Sequence, residues 1–153
     1  MRIRVPFRSI AVIAPLALVL AASLALAGGA VAGGRPISTS LTGAAERPNP
    51  GDPDGSGWAW VSINPGTETL CYAYEVSGVD PLTAAHIHRA PASSAGPVVI
   101  PILPTSGTGG SGCVSADRDL LVAILTDPSG YYVNVHNAAY PAGALRGQLS
   151  RQP

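Results

Sequence analysis

Trp58-Ala59-Trp60-Val61-Ser62-Ile63-Asn64-Pro65-Gly66-Thr67-Glu68-Thr69-Leu70-Cys71-Tyr72-Ala73-Tyr74-Glu75-Val76 is the stretch that decides the fold. Trp58 to Ile63 is rich in β-branched and aromatic residues, which fit a pleated surface. Asn64-Pro65-Gly66 then places proline and glycine where a type II turn wants them, and Glu68 to Val76 is expected to return as the second arm of a hairpin. Strand side chains alternate, so Leu70, Tyr72, Tyr74 and Val76 share one face while Cys71 and Glu75 share the other. Trp58 and Trp60 also share a face. Core packing is the expected reason for them, and stacking on a sugar or a partner surface is the alternative.

The same pattern extends in both directions. Ser38 to Ala45 reads as a first strand, and Arg47 to Ser56, with Asp52-Pro53-Asp54-Gly55, reads as a loop. After the hairpin come a strand from Thr83 to Arg89, a loop from Pro91 to Pro97 and an apolar strand from Val98 to Leu103. Thr105 to Gly112 is rich in glycine and serine and is expected to be a surface loop. From Ser115 the period changes. Ser115 is placed to cap a helix whose first turn holds Asp117 and Asp119, with Leu120, Leu121, Ile124 and Leu125 on one side and Asp127-Pro128-Ser129-Gly130 as its stop. A short buried strand from Leu120 to Leu125 is the competing reading. Tyr131 to His136 and Gly143 to Ser150 close the chain as strands, with Val133 and Val135 on one face and Tyr132, Asn134 and His136 on the other. Short strands punctuated by Gly, Pro and Asp predict an all-β sandwich or barrel with one short helix.

Residues 1–32 read as an address. Arg2, Arg4 and Arg8 form a positive n-region, Ile10 to Ala27 is apolar, and Ala-x-Ala spacing occurs at Ala25-Leu26-Ala27 and Ala30-Val31-Ala32. The glycines after the run and the lack of a basic stop-transfer cluster favour a cleaved signal peptide over a membrane anchor. Residues 33–37 are taken as an N-terminal linker and 38–151 as one domain. Export through the general secretory pathway, with no membrane contact afterwards, is the expected localisation. Loss of Arg2, Arg4 and Arg8 from a chain with balanced charges leaves the exported part mildly acidic, without a basic patch. That argues against a nucleic-acid partner. The two cysteines, Cys71 and Cys113, are expected to pair in an oxidising compartment; two unpaired thiols are the alternative.

The chain has three histidines, His86, His88 and His136, all in strand-like sequence. Alternation puts His86 and His88 on one face, and a paired strand brings His136 beside them. Three imidazoles plus water suit one zinc or copper ion, with Glu75 or Asn134 as an outer partner fixing a tautomer. Half-buried polar architecture, hydrogen-bonded to backbone, Tyr and Asn, is the other reading. Arg146 is expected near His136, where it can attract an anion or be held by an ion pair or carbonyl contacts.

Ser40-Leu41-Thr42-Gly43-Ala44-Ala45-Glu46, Ala85-His86-Ile87-His88, Tyr132-Val133-Asn134-Val135-His136-Asn137 and Gly143-Ala144-Leu145-Arg146-Gly147-Gln148-Leu149 together resemble the CHRD domain, the module named after chordin. The resemblance covers nearly all of Ser38 to Arg151, with local departures at Arg89 and at Ala44-Ala45. It implies an immunoglobulin-like or Greek-key β-sandwich and no established enzymatic activity. Chordin's antagonism of growth factors belongs to a large multidomain protein and is not carried over. The chain also resembles, more weakly, the copper/zinc superoxide dismutases, exported β-sandwiches with a His-x-His strand and a disulfide. Their dinuclear site cannot be built from three histidines.

Other chemistry is unsupported by the sequence. There is no Gly-x-Ser-x-Gly elbow, no paired-carboxylate pattern and no phosphate loop, so no catalytic residue is assigned. The expected function is an exported single-domain binding or envelope-associated module, non-catalytic, with an unidentified extracellular ligand and a candidate metal site. The alternative is a mononuclear copper/zinc redox protein similar to superoxide dismutase.

Overall fold

In the computed structural model, which describes residues 35–102 and 107–151, the hairpin forms as expected: β2 (Ser56–Asn64) pairs antiparallel with β3 (Thr69–Ser77), Trp60 opposite Ala73. Its turn differs. Asn64 Oδ1 accepts from the backbone N–H groups of Gly66 and Thr67 at 3.0 and 3.3 Å, and the residue with positive φ is Glu68, at 52°, rather than Gly66. The Asn64 carbonyl also accepts from Thr67 N–H at 3.3 Å, so a β-turn still forms, braced by the asparagine side chain and with its left-handed residue displaced to Glu68.

β1 (Arg35–Thr42) lies on the other side of β2. It begins within the segment read as a linker, and residues 43–45 turn in a 3-10 helix where the strand was expected to continue. β4 (Leu82–Arg89), β5 (Val98–Ile102), β6 (Gly109–Ser115), the helix α1 (Arg118–Thr126), β7 (Tyr131–Asn137), β8 (Leu145–Gln148) and β9 (Ser150–Arg151) follow. All pairings are antiparallel, in the order β5-β4-β7-β8-β1-β2-β3-β6, with β9 also on β1. Among the described residues the fold is therefore all-β with one short helix, as expected. The sheet curls nearly closed. Ile37, Val61 and Leu70 from one half meet Ile87, Val133 and Leu145 from the other in a single buried cluster. Burying each such side chain stabilises the fold by about 1.5–3 kcal/mol.

Two further readings need correction. Gly109–Gly112 is not loop but strand: β6 pairs with β3, Cys113 lies directly opposite Cys71, and the two form a disulfide with a Cα–Cα separation of 3.9 Å. A glycine-rich segment has no side-chain alternation to betray a strand, so the pairing partner and the disulfide impose it. The tryptophans are not core. Trp58 is 47% exposed and Trp60 is half-buried, because alternation in β2 sends Ala59, Val61 and Ile63 inward instead.

The helix lies where expected but is capped by Asp117, whose carboxylate accepts from the N–H groups of Asp119 and Leu120 at 2.9 and 3.0 Å. Ser115 ends β6 and donates its hydroxyl to the Glu68 carbonyl. Leu121 and Ile124 are fully buried, with Leu120 and Leu125 packed against the core behind them. Among the described residues no helix is long and apolar enough to cross a membrane. Residues 1–32, read as a signal peptide, lie outside the described residues.

Candidate metal centre

β4 and β7 are neighbours, with Ala84 opposite His136, His86 opposite Asn134 and His88 opposite Tyr132. Ala85, Ile87, Val133 and Val135 take the inward positions, so all three histidines lie together on the outer face. That face is not open to water: Asn134 is 2% and Arg146 1% exposed, and His88 and His136 are each 9% exposed. Loops cover it. Arg146 donates to the carbonyls of Pro91 and Ser94 at 2.8 and 2.9 Å, and Gln148 donates to the Ala90 carbonyl at 2.8 Å. Gly96 N–H donates to the Tyr132 hydroxyl at 3.1 Å, and Asn134 donates to the Glu46 carboxyl at 2.5 Å. The molecule thus has an apolar core inside the sheet and a polar one outside it.

Within this second core, one ligand nitrogen from each of His86, His88 and His136 lies within 4.8 Å of the others. His86 Nδ1 and His136 Nε2 are 3.1 Å apart and share a hydrogen bond in the metal-free protein. Two ligands of one tetrahedral zinc ion, at ordinary Zn–N distances, stand about 3.3 Å apart, so this pair is already at ligand spacing. His88 Nδ1 is 2.9 Å from the Gly96 carbonyl and His136 Nδ1 is 3.1 Å from the Pro141 carbonyl. Only a protonated nitrogen satisfies a carbonyl, so in the neutral ring Nε2 of each is left with its lone pair. For His88 that Nε2 is buried and makes no hydrogen bond to any described residue. Backbone carbonyls therefore occupy the outer positions that metal-binding histidines require, and the lone pairs point elsewhere.

The electrostatics keep the rings neutral. Burial lowers the pKa of all three; repulsion from His88 adds to it at His86, and the Arg146 charge adds to it at His88, against the Gly96 hydrogen bond that raises it. His136 is pushed down to about 4 by desolvation and by His86, against the Pro141 hydrogen bond that raises it. Tyr132 stacks on His88 with ring centroids 4.8 Å apart and carries the Arg146 guanidinium 3.5 Å from its centroid. Glu46, 3% exposed, is pushed up to about 7 by burial, although the Arg146 charge works the other way.

Of the residues singled out from sequence, His86, His88 and His136 come together. Asn134 faces His86 across the strand pair but gives its amide to Glu46, and so does not orient an imidazole. Glu75 is an exposed residue of β3 paired with Trp58 and Gly109, in the other half of the sheet. Arg146 stands opposite Asn134 and turns its guanidinium to Tyr132 and the loop carbonyls, not to His136. Sequence reasoning missed the two carbonyls, which carry no side-chain signal. It also missed Glu46, a lone carboxylate 88 positions from the asparagine it binds.

The CHRD domain profile matches residues 37–149. No curated protein and no solved structure matches the chain.

Proposed function

The chain belongs to the CHRD domain family, and from that premise we propose that it is an exported, non-catalytic binding module that holds one zinc or copper ion between His86, His88 and His136. The convergence of three neutral imidazoles within 4.8 Å, two of them anchored from behind by carbonyls, carries this reading. Nitrogen-only ligation with no thiolate suits Zn(II) or Cu(II), with water or an external ligand completing the shell on the side of half-buried His86. Export rests on the signal-like residues 1–32 and on the Cys71–Cys113 disulfide, which is compatible with an oxidising compartment.

Mature protein purified without a histidine tag and titrated with Zn(II) and Cu(II) is expected to bind one equivalent. Any one of His86→Ala, His88→Ala and His136→Ala should remove it. A protein that binds neither ion, and whose histidine variants lose only thermal stability, makes the cluster polar architecture.

A second reading, a mononuclear copper redox protein, draws on the solvent-facing side of His86. Copper-loaded protein that consumes superoxide at rates above free copper would favour it; equal rates dismiss it.

A further inference from the structure

The outer face of the opposite half, on β1, β2, β3 and β6, carries a feature the histidine site does not use. Trp58 and Trp60 occupy alternate positions of β2 and stand roughly 7 Å apart along the strand on one face. Ser40 pairs with Trp58 and Ser38 with Trp60 on one flank, and Glu75 and Ala73 pair with them on the other. Ala73, opposite Trp60, is small, and Trp58 is 47% exposed. A groove of about 720 Å³ runs from Ser150 over Ser40 to the two indoles. A second depression of about 370 Å³ continues beyond Trp58 to Ser111 on β6. Trp58 and Ala73 line both, so together they form one trough crossing the strands.

We propose that this trough binds a neutral, linear glycan by stacking sugar rings on Trp58 and Trp60. Flat aromatic faces match the C–H faces of pyranose rings, and the serine hydroxyls along the flanks match their hydroxyl rims. Among the described residues neither depression is lined by a basic side chain, and the one charged group is Glu75, which disfavours acidic polymers. An extended trough fits a chain better than a compact ligand. A peptide adding as a strand needs a sheet edge, whereas β2, which carries both indoles, is hydrogen-bonded on both sides and only the far end of the trough reaches the end strand β6. The site is independent of the metal reading, since it lies on the other half of the sheet.

Trp58 and Trp60 are the only tryptophans in the chain, so intrinsic indole fluorescence reports on this trough alone. The mature protein is titrated with cellohexaose, chitohexaose and, as comparison, a proline-rich decapeptide and polygalacturonate. Expected is a saturable emission shift with one of the two neutral hexasaccharides. Trp58→Ala should weaken binding about tenfold or more, and Trp58→Phe, which keeps a stacking face, should bind several-fold better than Trp58→Ala. His86→Ala should leave the shift intact, which separates this site from the metal reading. The proposal is overturned if neither hexasaccharide shifts the emission, if Trp58→Ala binds as well as the parent protein, or if only the peptide or the acidic polymer responds.

Discussion

The guanidinium of Arg146 lies 3.5 Å from the centroid of the Tyr132 ring, and its nitrogens reach the carbonyls of Pro91 and Ser94, so one buried cation fastens the 91–96 loop over the histidine face. The same loop presents the Gly96 carbonyl to His88 Nδ1. Arg146 is therefore a positioning residue for the proposed metal site, two contacts removed from the imidazole of His88.

Arg146→Ala is expected to destabilise the fold by about 3 kcal/mol, because two loop carbonyls and the Tyr132 ring face lose a charged partner that is itself 1% exposed. It should also weaken zinc binding roughly 10- to 100-fold by releasing the Gly96 anchor. Arg146→Lys keeps the charge but lacks the planar fork, so it should recover little of either. Chemical denaturation and zinc titration of both variants check this. Unchanged metal affinity in a folded Arg146→Ala protein would break the link between loop and ligand.

Glu46 makes the protein lose stability as pH rises towards neutrality. Its folded pKa is raised from 4.5 to about 7, so the unfolded chain releases the proton first as pH rises. Its stabilising contribution is full below pH 4.5 and is lost as pH rises through about 7. Glu46→Gln keeps an oxygen to accept from Asn134 and cannot ionise. Denaturation curves from pH 4.5 to 8 should show the variant gaining on the parent as pH rises. Parallel curves would contradict the raised pKa.

The histidines act with the opposite sign. Their folded pKa values are lowered, so in the metal-free protein their contribution is full above pH 6.5 and is lost as pH falls, for His136 through about 4. His136→Gln should flatten the acid limb of the stability profile. Proton resonances of the His136 ring, followed from pH 8 to 4, should show no protonation near 6.5.

Reducing the disulfide should cost roughly 4 kcal/mol in the chain-entropy model, given a Cys71–Cys113 separation of 42 residues. The bridge ties β3 to β6, in the half of the sheet away from the histidines. Thermal unfolding with and without reductant should show the loss, while zinc affinity of the still-folded reduced protein stays the same. A change in affinity would mean that the two halves are coupled through the core.

Alternation was enough for the sequence to specify most of the strands, which side chains share a face, and the common face of His86, His88 and His136, since a two-residue period is a local property of extended chain. Residue chemistry also marked Cys71 and Cys113 as partners. Tertiary structure alone determined the rest. It made a strand of glycine-rich Gly109–Gly112 by laying it on β3, turned Trp58 and Trp60 outward, and moved Arg146 from His136 to Tyr132. It also roofed the polar face with the loops bearing Glu46, Gly96 and Pro141, because burial and backbone carbonyl positions depend on contacts between distant segments that no local pattern encodes.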